Sequence, residues 1–355
     1  MGELKFSICN DPKEWYTIGM ELWENSIDPP VFYHPSMLGV MNSIKENIQM
    51  AILFHNGMPV LALPIYCEKK VRNVSYDGWD NLGLLKRKDV SADLIRSFWQ
   101  KLLSATKRIK LENFSEADSK DVLNNSEYKL FVSRRKCPFF EIKDSWEELS
   151  PLLSKKLVRN VRQYGNKAER ANISFEIKMA HEVSNSTLDQ NLDGAYKFHT
   201  SRMEIIGQKS KFTPDAYKEY HKKVLESCDN VFTIEAKENN DKLIAFYYGF
   251  CNNKRLSWFN GGFDMAYRNL SIGTLLISNL LKWAYEHNLN YFDFLRGRED
   301  YKLKWTSDFN LNYDLYLCKK NPIYILRTIS FFLAENRKRV GFKNALRLMA
   351  KGYRL

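Results

Sequence analysis

The chain has 355 residues, of which 44% are hydrophobic and 14% aromatic, and its formal net charge is +12. This composition excludes a disordered chain, because disordered segments are poor in aromatic and branched apolar residues. The length suits two domains or one large one. The positive charge favours nucleic acid, anionic lipid, a phosphorylated cofactor or an acidic carrier protein as partners, or reflects only a solvated basic surface.

The six cysteines are scattered without a C-x-x-C pair, so we expect free thiols and no metal site. The first residues lack a basic start followed by an apolar run, which predicts no signal peptide. No apolar run reaches the roughly 18 residues that a membrane span needs. We therefore expect a soluble cytoplasmic protein, and keep open a peripheral contact with an anionic membrane.

Helix and hairpin signals mark the first half. Asp11-Pro12 predicts a helix start, and Asn56-Gly57 between two apolar runs predicts a β-hairpin. The other elements predicted here are a helix near 91–105 and strands near 48–54, 58–66, 107–112, 128–133 and 138–142.

The second half begins with a connector and a long basic helix over 145–170, and the helix has one apolar face. Its other surface carries Lys155, Lys156, Arg159, Arg162, Lys167 and Arg170. The elements predicted after it are strands near 173–178, 231–237, 242–250, 255–262, 290–296 and 312–318 and helices near 190–206, 214–227 and 271–288. We therefore predict an α/β (α+β) fold of mixed sheets flanked by helices, with domains at 1–150 and 151–320 and a basic helical segment at 321–355.

A polar loop leads from the predicted strand 255–262 into the apolar helix 271–288. The first amides of a helix have no internal partners and carry partial positive charge, and glycine lets a ligand approach closely. The loop therefore predicts a phosphate or pyrophosphate site, unless it is an ordinary capped turn. The candidate residues are Gly262, Arg268, Asn269, Leu270, Ser271, Gly273 and Thr274.

An aspartate interrupts the apolar strand that follows this helix. If Asp293 is buried, it needs a partner, and a structural ion pair with Arg296 or Lys302 is one interpretation. The other is a carboxyl group whose pKa is raised by burial and which takes a proton from an incoming amine. Tyr301 is a candidate to return a proton to a leaving thiolate, or packs in the core.

Residues 291–305 (YFDFLRGREDYKLKW) resemble the FDF-x-x-G-x-E-x-Y-K-x-x-W signature of CelD-like, cellulose-biosynthesis-type acetyltransferases. These belong to the GNAT superfamily and are relatives of the Fem-type peptidoglycan aminoacyltransferases. Residues 262–273 (GFDMAYRNLSIG) resemble the acyl-CoA loop of the same family, although Ile272 replaces a proline and Ser271 replaces the first glycine of the general GNAT loop. Weaker similarities extend over most of 30–310.

The resemblance implies tandem GNAT-like units and an acyl-CoA, in the first instance acetyl-CoA, held between two splayed strands. It implies direct attack by a substrate amine on the thioester. The residues that the resemblance and the sequence make catalytic candidates are Asp293, Glu299, Tyr301 and Lys302. The alternative bases are Asp293 and Glu299, with His199 in reserve. The candidates for binding the acceptor are His199, Arg202, Trp258 and Arg296.

These patterns predict an N-acyltransferase that moves an acyl group from acyl-CoA to an amine of an amino sugar, nucleotide sugar or cell-envelope or polysaccharide precursor. A Fem-type enzyme that takes its aminoacyl group from tRNA is one alternative. A non-catalytic GNAT module that binds an anionic partner is the other. An acyl carrier protein stays open as the donor, and nucleic acid is not the expected partner.

Overall fold

The computed structural model describes the chain except residues 1, 46, 68–70, 77, 124–127, 211, 213–214, 253, 298 and 352–355. Its first part alternates short strands and helices. The strands are β1 (Leu4–Cys9), β2 (Ile48–His55), β3 (Met58–Cys67), β4 (Val71–Asn73), β5 (Leu85–Lys86), β6 (Arg108–Ser115) and β7 (Tyr128–Glu141). The helices are α1 (Pro12–Glu24), α2 (Pro35–Ile44), α3 (Ala92–Thr106) and α4 (Glu116–Leu123).

The rest of the chain continues this alternation and ends in helices. The strands are β8 (Ile173–Met179), β9 (Val231–Glu238), β10 (Lys242–Cys251), β11 (Arg255–Phe263), β12 (Tyr291–Asp293) and β13 (Phe309–Lys319). The helices are α5 (Trp146–Leu149), α6 (Lys155–Arg170), α7 (Asn185–Ile205), α8 (Asp215–Ser227), α9 (Ile272–Glu286), α10 (Asp300–Leu303), α11 (Pro322–Val340) and α12 (Phe342–Lys351). None of the described helices combines the length and the apolar character needed to cross a bilayer.

The chain forms two compact units. The first combines Met1–Cys137 with Asn310–Leu355, and the second is Pro138–Phe309. Each contains a mixed sheet flanked by helices, which confirms the predicted fold class. The second unit begins at Pro138 and ends at Phe309, whereas the predicted boundaries are 150 and 320. Strand β13 pairs with β6, which places the last residues of the chain in the first unit.

The predicted hairpin of the first unit is present. Asn56 and Gly57 both have positive φ, 52° and 79°, which is what a two-residue turn between right-twisted strands requires. His55 then pairs with Met58, and β2 runs antiparallel to β3. Asp11 caps α1 by accepting the Lys13 amide at 3.0 Å, as the sequence predicts.

A side chain closes the seam between the parallel strands β4 and β6 of the first unit. Their pairing covers Val71 and Arg72. The next residue, Asn73, is buried, accepts the amide of Glu112 at 2.7 Å and donates to its carbonyl at 3.2 Å. Its amide also donates to the Tyr33 hydroxyl at 2.8 Å. The seam thus continues through a side chain where the β-ladder ends.

An ionic cluster fastens α11 to the sheet of the first unit. Glu335 of α11 pairs with Lys110 of β6 at 2.5 Å and with Arg72 of β4 at 3.1 Å. The Tyr316 hydroxyl donates to the same carboxylate at 2.9 Å. Because the Lys110 side chain is only 8% exposed, this cluster is weakly screened by solvent. The predicted basic C-terminal segment therefore docks on its unit, although residues 352–355 lie outside the described part.

The sheet of the second unit has the order β7-β12-β11-β10-β9-β8, with residues 139–141 of β7 beside β12. Helices α6 and α9 pack on one face, and their buried residues share a core with the aromatic rings of the central strands. Helix α9 is buried on most sides, as predicted. Helix α7 contacts β10 and β11.

The strand predicted at 290–296 is shorter in the structure and ends at Asp293. Leu295 adopts a left-handed conformation with φ 57°, and its amide donates to the Asp293 carboxylate at 2.8 Å. Such a local side chain-to-backbone bond competes with the β-ladder, so the chain turns away from the sheet at this point.

Candidate active site

The parallel strands β11 and β12 separate after a short seam. They pair at Arg255–Tyr291, Leu256–Phe292 and Ser257–Asp293. Strand β12 then ends, whereas β11 continues to Phe263, still paired with β10 on its other edge. In the described residues, the far half of β11 therefore presents an edge that β12 does not cover, and a ligand can lie along such an edge as an added strand does.

A β-bulge lies in β11 at the start of this edge. Gly249 of β10 pairs with Trp258 and Tyr248 with Asn260, so Phe259 is the extra residue. A bulge bends its strand and redirects the neighbouring side chains. Only glycine fits opposite, because a Cβ on Gly249 would lie 2.1 Å from the Ser257 carbonyl oxygen.

The loop after β11 leads to an open helix start. A 3-10 turn, Met265–Leu270, is capped by Asp264, which accepts the Ala266 amide at 2.9 Å. Ser271 then takes the left-handed conformation (φ 47°, ψ 48°), and its side chain makes no capping bond to α9. A Cβ on Gly273 would meet nothing within 4 Å. The space beside Gly273 at the start of α9 is therefore open, and a helix start is a suitable place for an anion.

The predicted loop residues differ in their surroundings. Arg268 and Asn269 are exposed, while Ser271, Gly273 and Thr274 are half-buried. Leu270 is half-buried and packs against the core. Glycine is required at position 262 for packing, because a Cβ there would lie 2.6 Å from the Ala195 carbonyl oxygen of α7.

Four side chains from four elements meet beside the uncovered edge of β11. Trp258 is buried and stacks on Tyr247 of β10, with centroids 4.5 Å apart. The Trp258 indole donates a hydrogen bond to the Tyr301 hydroxyl of α10. The charge of the exposed Arg202, on α7, acts on both Tyr247 and Tyr301. The structure thus brings together three predicted candidates, Arg202, Trp258 and Tyr301.

Burial raises the pKa of Tyr301 above its ordinary value of 10.0, and the charge of Glu299 raises it further. The hydrogen bond from Trp258 and the charge of Arg202 oppose this shift without cancelling it. The hydroxyl therefore keeps its proton at neutral pH, as a proton donor must.

Asp293 is fully buried and ion-paired. Its carboxylate lies 3.3 Å from the Arg255 guanidinium at the start of β11. Burial raises the pKa of Asp293, while Arg255 and the Leu295 amide oppose the rise. A salt bridge was one of the two predicted interpretations, but its partner, Arg255, was not among those named.

Glu299 and Lys302 form a second pair in the same motif. Lys302 is buried, and its ammonium donates to the Arg296 carbonyl at 2.8 Å and pairs with Glu299 at 2.9 Å. The Glu299 side chain is 56% exposed, so a soluble amine can reach it. Gly297 has φ 118°, and a Cβ there would lie 2.3 Å from a Glu299 oxygen.

His199 is half-buried on α7, with Nδ1 2.9 Å from the Ser210 hydroxyl and its ring edge-on to Phe212. These contacts fix the orientation of the imidazole ring on α7. Its predicted contact with the acceptor stays a prediction, as does that of Arg296.

Two residues of the site were not predicted, Tyr247 and Arg255. Tyr247 lies in an apolar strand where nothing local distinguishes it from core residues. Arg255 is the first residue of its strand, where a cation is usually exposed, and only the pairing of β11 with β12 places it beside Asp293.

Among the described residues, no group of three His, Cys, Asp or Glu side chains is arranged to hold a metal ion.

Residues 155–303 match the family model described as an acetyltransferase (GNAT) domain. No match was found among curated proteins. The solved structure of FemX is similar at a TM-score of 0.64 with 9% identity, covering 91% of this chain and 100% of that chain. The C-terminal domain of a putative lysylphosphatidylglycerol synthetase from Agrobacterium fabrum gives a TM-score of 0.59 with 11% identity, covering 91% and 97%. L-PGS from Bacillus licheniformis gives 0.58 with 13% identity, covering 90% and 96%.

These likenesses show the fold, and the family model adds the class. The match to an acetyltransferase (GNAT) domain covers residues 155–303 and supports an acyltransferase. The matched stretch contains the uncovered edge of β11, the start of α9 and Tyr301.

Proposed function

We propose that the protein transfers an acyl group, in the first instance acetyl, from acyl-CoA to an amine of an amino sugar, nucleotide sugar or cell-envelope or polysaccharide precursor. The observation that carries this proposal is the separation of β11 from β12 beside an uncapped start of α9. The resemblance of 291–305 to the CelD-like signature supports the class of acceptor.

In this proposal, acyl-CoA binds along the second unit from the start of α9 to the edge of β11. Its pyrophosphate would lie at Arg268–Thr274, where the helix amides and the Arg268 charge attract anions. Its pantetheine arm would lie along β11 and pair with backbone groups of that edge. The thioester would then reach the cluster of Trp258, Tyr247 and Tyr301.

The transfer is a direct attack. The amine nitrogen forms a bond to the thioester carbon, and the carbon–sulfur bond breaks. We assign Tyr301 as the proton donor to the leaving thiolate, because its hydroxyl is kept protonated. Backbone amides near the bulge at Phe259 are the candidates to stabilise the oxyanion.

We assign Glu299, rather than Asp293, as the base that takes the proton from the amine. Glu299 is exposed and is the residue that precedes α10, two positions before Tyr301. Asp293 is fully buried and paired with Arg255, and Lys302 holds Glu299 in place. Asp293 and Lys302 then shape the site without contacting the substrate.

The donor site is tested by calorimetric titration of acetyl-CoA and desulfo-CoA into the wild type and Gly273→Trp. The large side chain would occupy the open space at the start of α9, so we expect micromolar binding that the substitution abolishes. The control is Gly39→Trp on α2, where a Cβ also meets nothing within 4 Å. Absence of binding to the wild type at millimolar ligand would contradict the acyl-CoA proposal.

The Fem-type alternative makes a different prediction in the same assay. A donor carried on tRNA would leave acetyl-CoA unbound, while charged tRNA would bind and transfer its aminoacyl group. A non-catalytic module would bind an anion without transfer to any amine in an acceptor screen.

A further inference from the structure

A row of positive charges covers the outer surface of α6. Its six members are exposed along the whole helix: Lys155, Lys156, Arg159, Arg162, Lys167 and Arg170. The opposite surface packs in the core through Leu157, Val161 and Ala168. Glu169 is the only acidic residue of the helix. We call these six residues the cationic row.

The cationic row lacks internal neutralisation. Within the described part of the chain, no carboxylate forms an ion pair with any of its members, and Lys167 contacts only the Tyr164 ring, at 5.5 Å. Lys155 and Arg159 stand four residues apart and Arg159 and Arg162 three, and such like-charged pairs weaken a helix by a few tenths of a kcal/mol each. The row therefore costs the helix stability that an anionic partner would restore.

The cationic row borders the proposed donor loop. Helix α6 packs on α9 and contacts the 3-10 turn Met265–Leu270, which carries the exposed Arg268. At 1.5 Å per residue, the row extends about 22 Å along the helix. A single nucleotide is too small to cover this length, so the matching partner is a macromolecule with an acidic surface.

We propose that the cationic row is the docking surface for an acidic acyl carrier protein, which presents the acyl group on a phosphopantetheine arm. This inference rests on the proposed function and names its donor. The arm carries the same amides and thioester as coenzyme A, so the uncovered edge of β11 suits both. The carrier lacks the adenine nucleotide, and contacts between the two proteins would supply the affinity and orientation instead.

The chemistry is unchanged by this donor. The acceptor nitrogen bonds to the thioester carbon, the carbon–sulfur bond breaks, and the arm leaves as a thiol that has gained one proton. The amine loses one proton to Glu299, so the step balances without another reactant.

An RNA partner fits these observations less well. Binding of single-stranded RNA relies on exposed aromatic rings on which bases stack, and the only aromatic residue of α6, Tyr164, packs towards the core. The end of an aminoacyl-tRNA also lacks the amides that would pair with β11.

The test measures binding of holo-acyl carrier protein from the same organism to the full chain by calorimetry at low salt. The variant is Lys155→Glu/Arg159→Glu/Arg162→Glu. The control, Lys5→Glu/Lys13→Glu/Lys88→Glu, makes the same charge change at exposed positions of the first unit. We expect the α6 variant to bind the carrier at least about tenfold more weakly, and the control to match the wild type.

Acetyl-CoA binding to the same variants separates this inference from the proposed function. We expect both triple variants to bind acetyl-CoA within about threefold of the wild type at physiological salt, because the loop and β11 are unchanged and the altered charges are screened there. If the wild type binds acetyl-CoA but not the carrier, or if the α6 variant binds the carrier normally, the docking surface is refuted and the proposed function stands. Loss of tRNA or phosphatidylglycerol-vesicle binding in the α6 variant, without loss of carrier binding, also refutes it.

Discussion

Tyr301 and Asp293 are both buried ionisable groups of the same motif, but their contacts indicate different roles. Tyr301 receives a hydrogen bond from Trp258 and adjoins the uncovered edge of β11. Asp293 is bonded to Arg255 and to the turn at Leu295. We propose that Tyr301 exchanges a proton with a ligand, whereas Asp293 joins two strands at the point where they separate.

Tyr301→Phe is expected to lower kcat on the order of a hundredfold, because a general acid contributes about that much. Its loss of one hydrogen bond should cost only about 1 kcal/mol of stability. In the wild type, the raised pKa of Tyr301 keeps the hydroxyl protonated, so the rate should show no loss up to pH 10. Steady-state kinetics across pH measure both effects.

The matched control for Tyr301 is Tyr285→Phe, which removes a hydroxyl that is also buried in the second unit. It should leave kcat unchanged. An equal loss of rate in both variants would remove Tyr301 from the mechanism.

Asp293→Asn tests the buried carboxyl through the pH dependence of stability. The pKa of Asp293 is raised above 3.8 in the folded protein, so its titration favours folding at pH below its unfolded value, and this contribution is lost as pH rises through the folded pKa. Asparagine cannot titrate. The unfolding free energy of the wild type minus that of the variant should therefore decrease with rising pH in urea denaturation between about pH 4 and 8.

The opposite slope would mean that Arg255 lowers the pKa of Asp293 more than burial raises it. The variant should also be less stable than the wild type at each pH, because it removes the carboxylate opposite the Arg255 guanidinium.

Between elements, the close approach of α7 and β11 depends on Gly262. A Cβ there would lie 2.6 Å from the Ala195 carbonyl oxygen, so Gly262→Ala should lower the free energy of unfolding by about 1–3 kcal/mol through overpacking. Gly273→Ala, which meets open space in a helix, should instead be neutral or gain up to about 1 kcal/mol. Urea denaturation compares the two, and equal effects would contradict the packing argument.

The attachment of α11 depends on one carboxylate. Glu335→Ala would leave the buried Lys110 with Glu112 as its remaining ion-pair partner among the described residues, and should cost about 1.5–3 kcal/mol. Amide hydrogen exchange should then speed up in α11. The control, Glu116→Ala, breaks a 3.9 Å exposed pair with Lys120 and should cost less than about 1 kcal/mol.

Across the whole molecule, local chemistry was predictable and long-range pairing was not. The Asn56-Gly57 turn, the apolar face of α6 and the buried α9 follow from spacing and turn residues. The pairing of Ser257 with Asp293 and the return of β13 to the first unit depend on strands distant in sequence. No local pattern encodes such register.

The site divides in the same way. The resemblance of the motif at 291–305 made Asp293, Glu299, Tyr301 and Lys302 catalytic candidates. It left open which carboxylate is buried, because burial of Asp293 depends on where β12 lies in the sheet. The positions of Tyr247 and Arg255 in the site could not be predicted, because they depend on how β10, β11 and β12 pair in the sheet.

The side-chain seam at Asn73 has a consequence for stoichiometry. In the first unit, Asn73 bonds both backbone groups of Glu112, and α3 is capped by its own Ser91. The second unit has neither feature at β11, β12 and α9. Titration to saturation should therefore end at one donor molecule per chain, and a second equivalent would require Asn73 to release its strand. Only the second unit would then contribute to the measured stoichiometry.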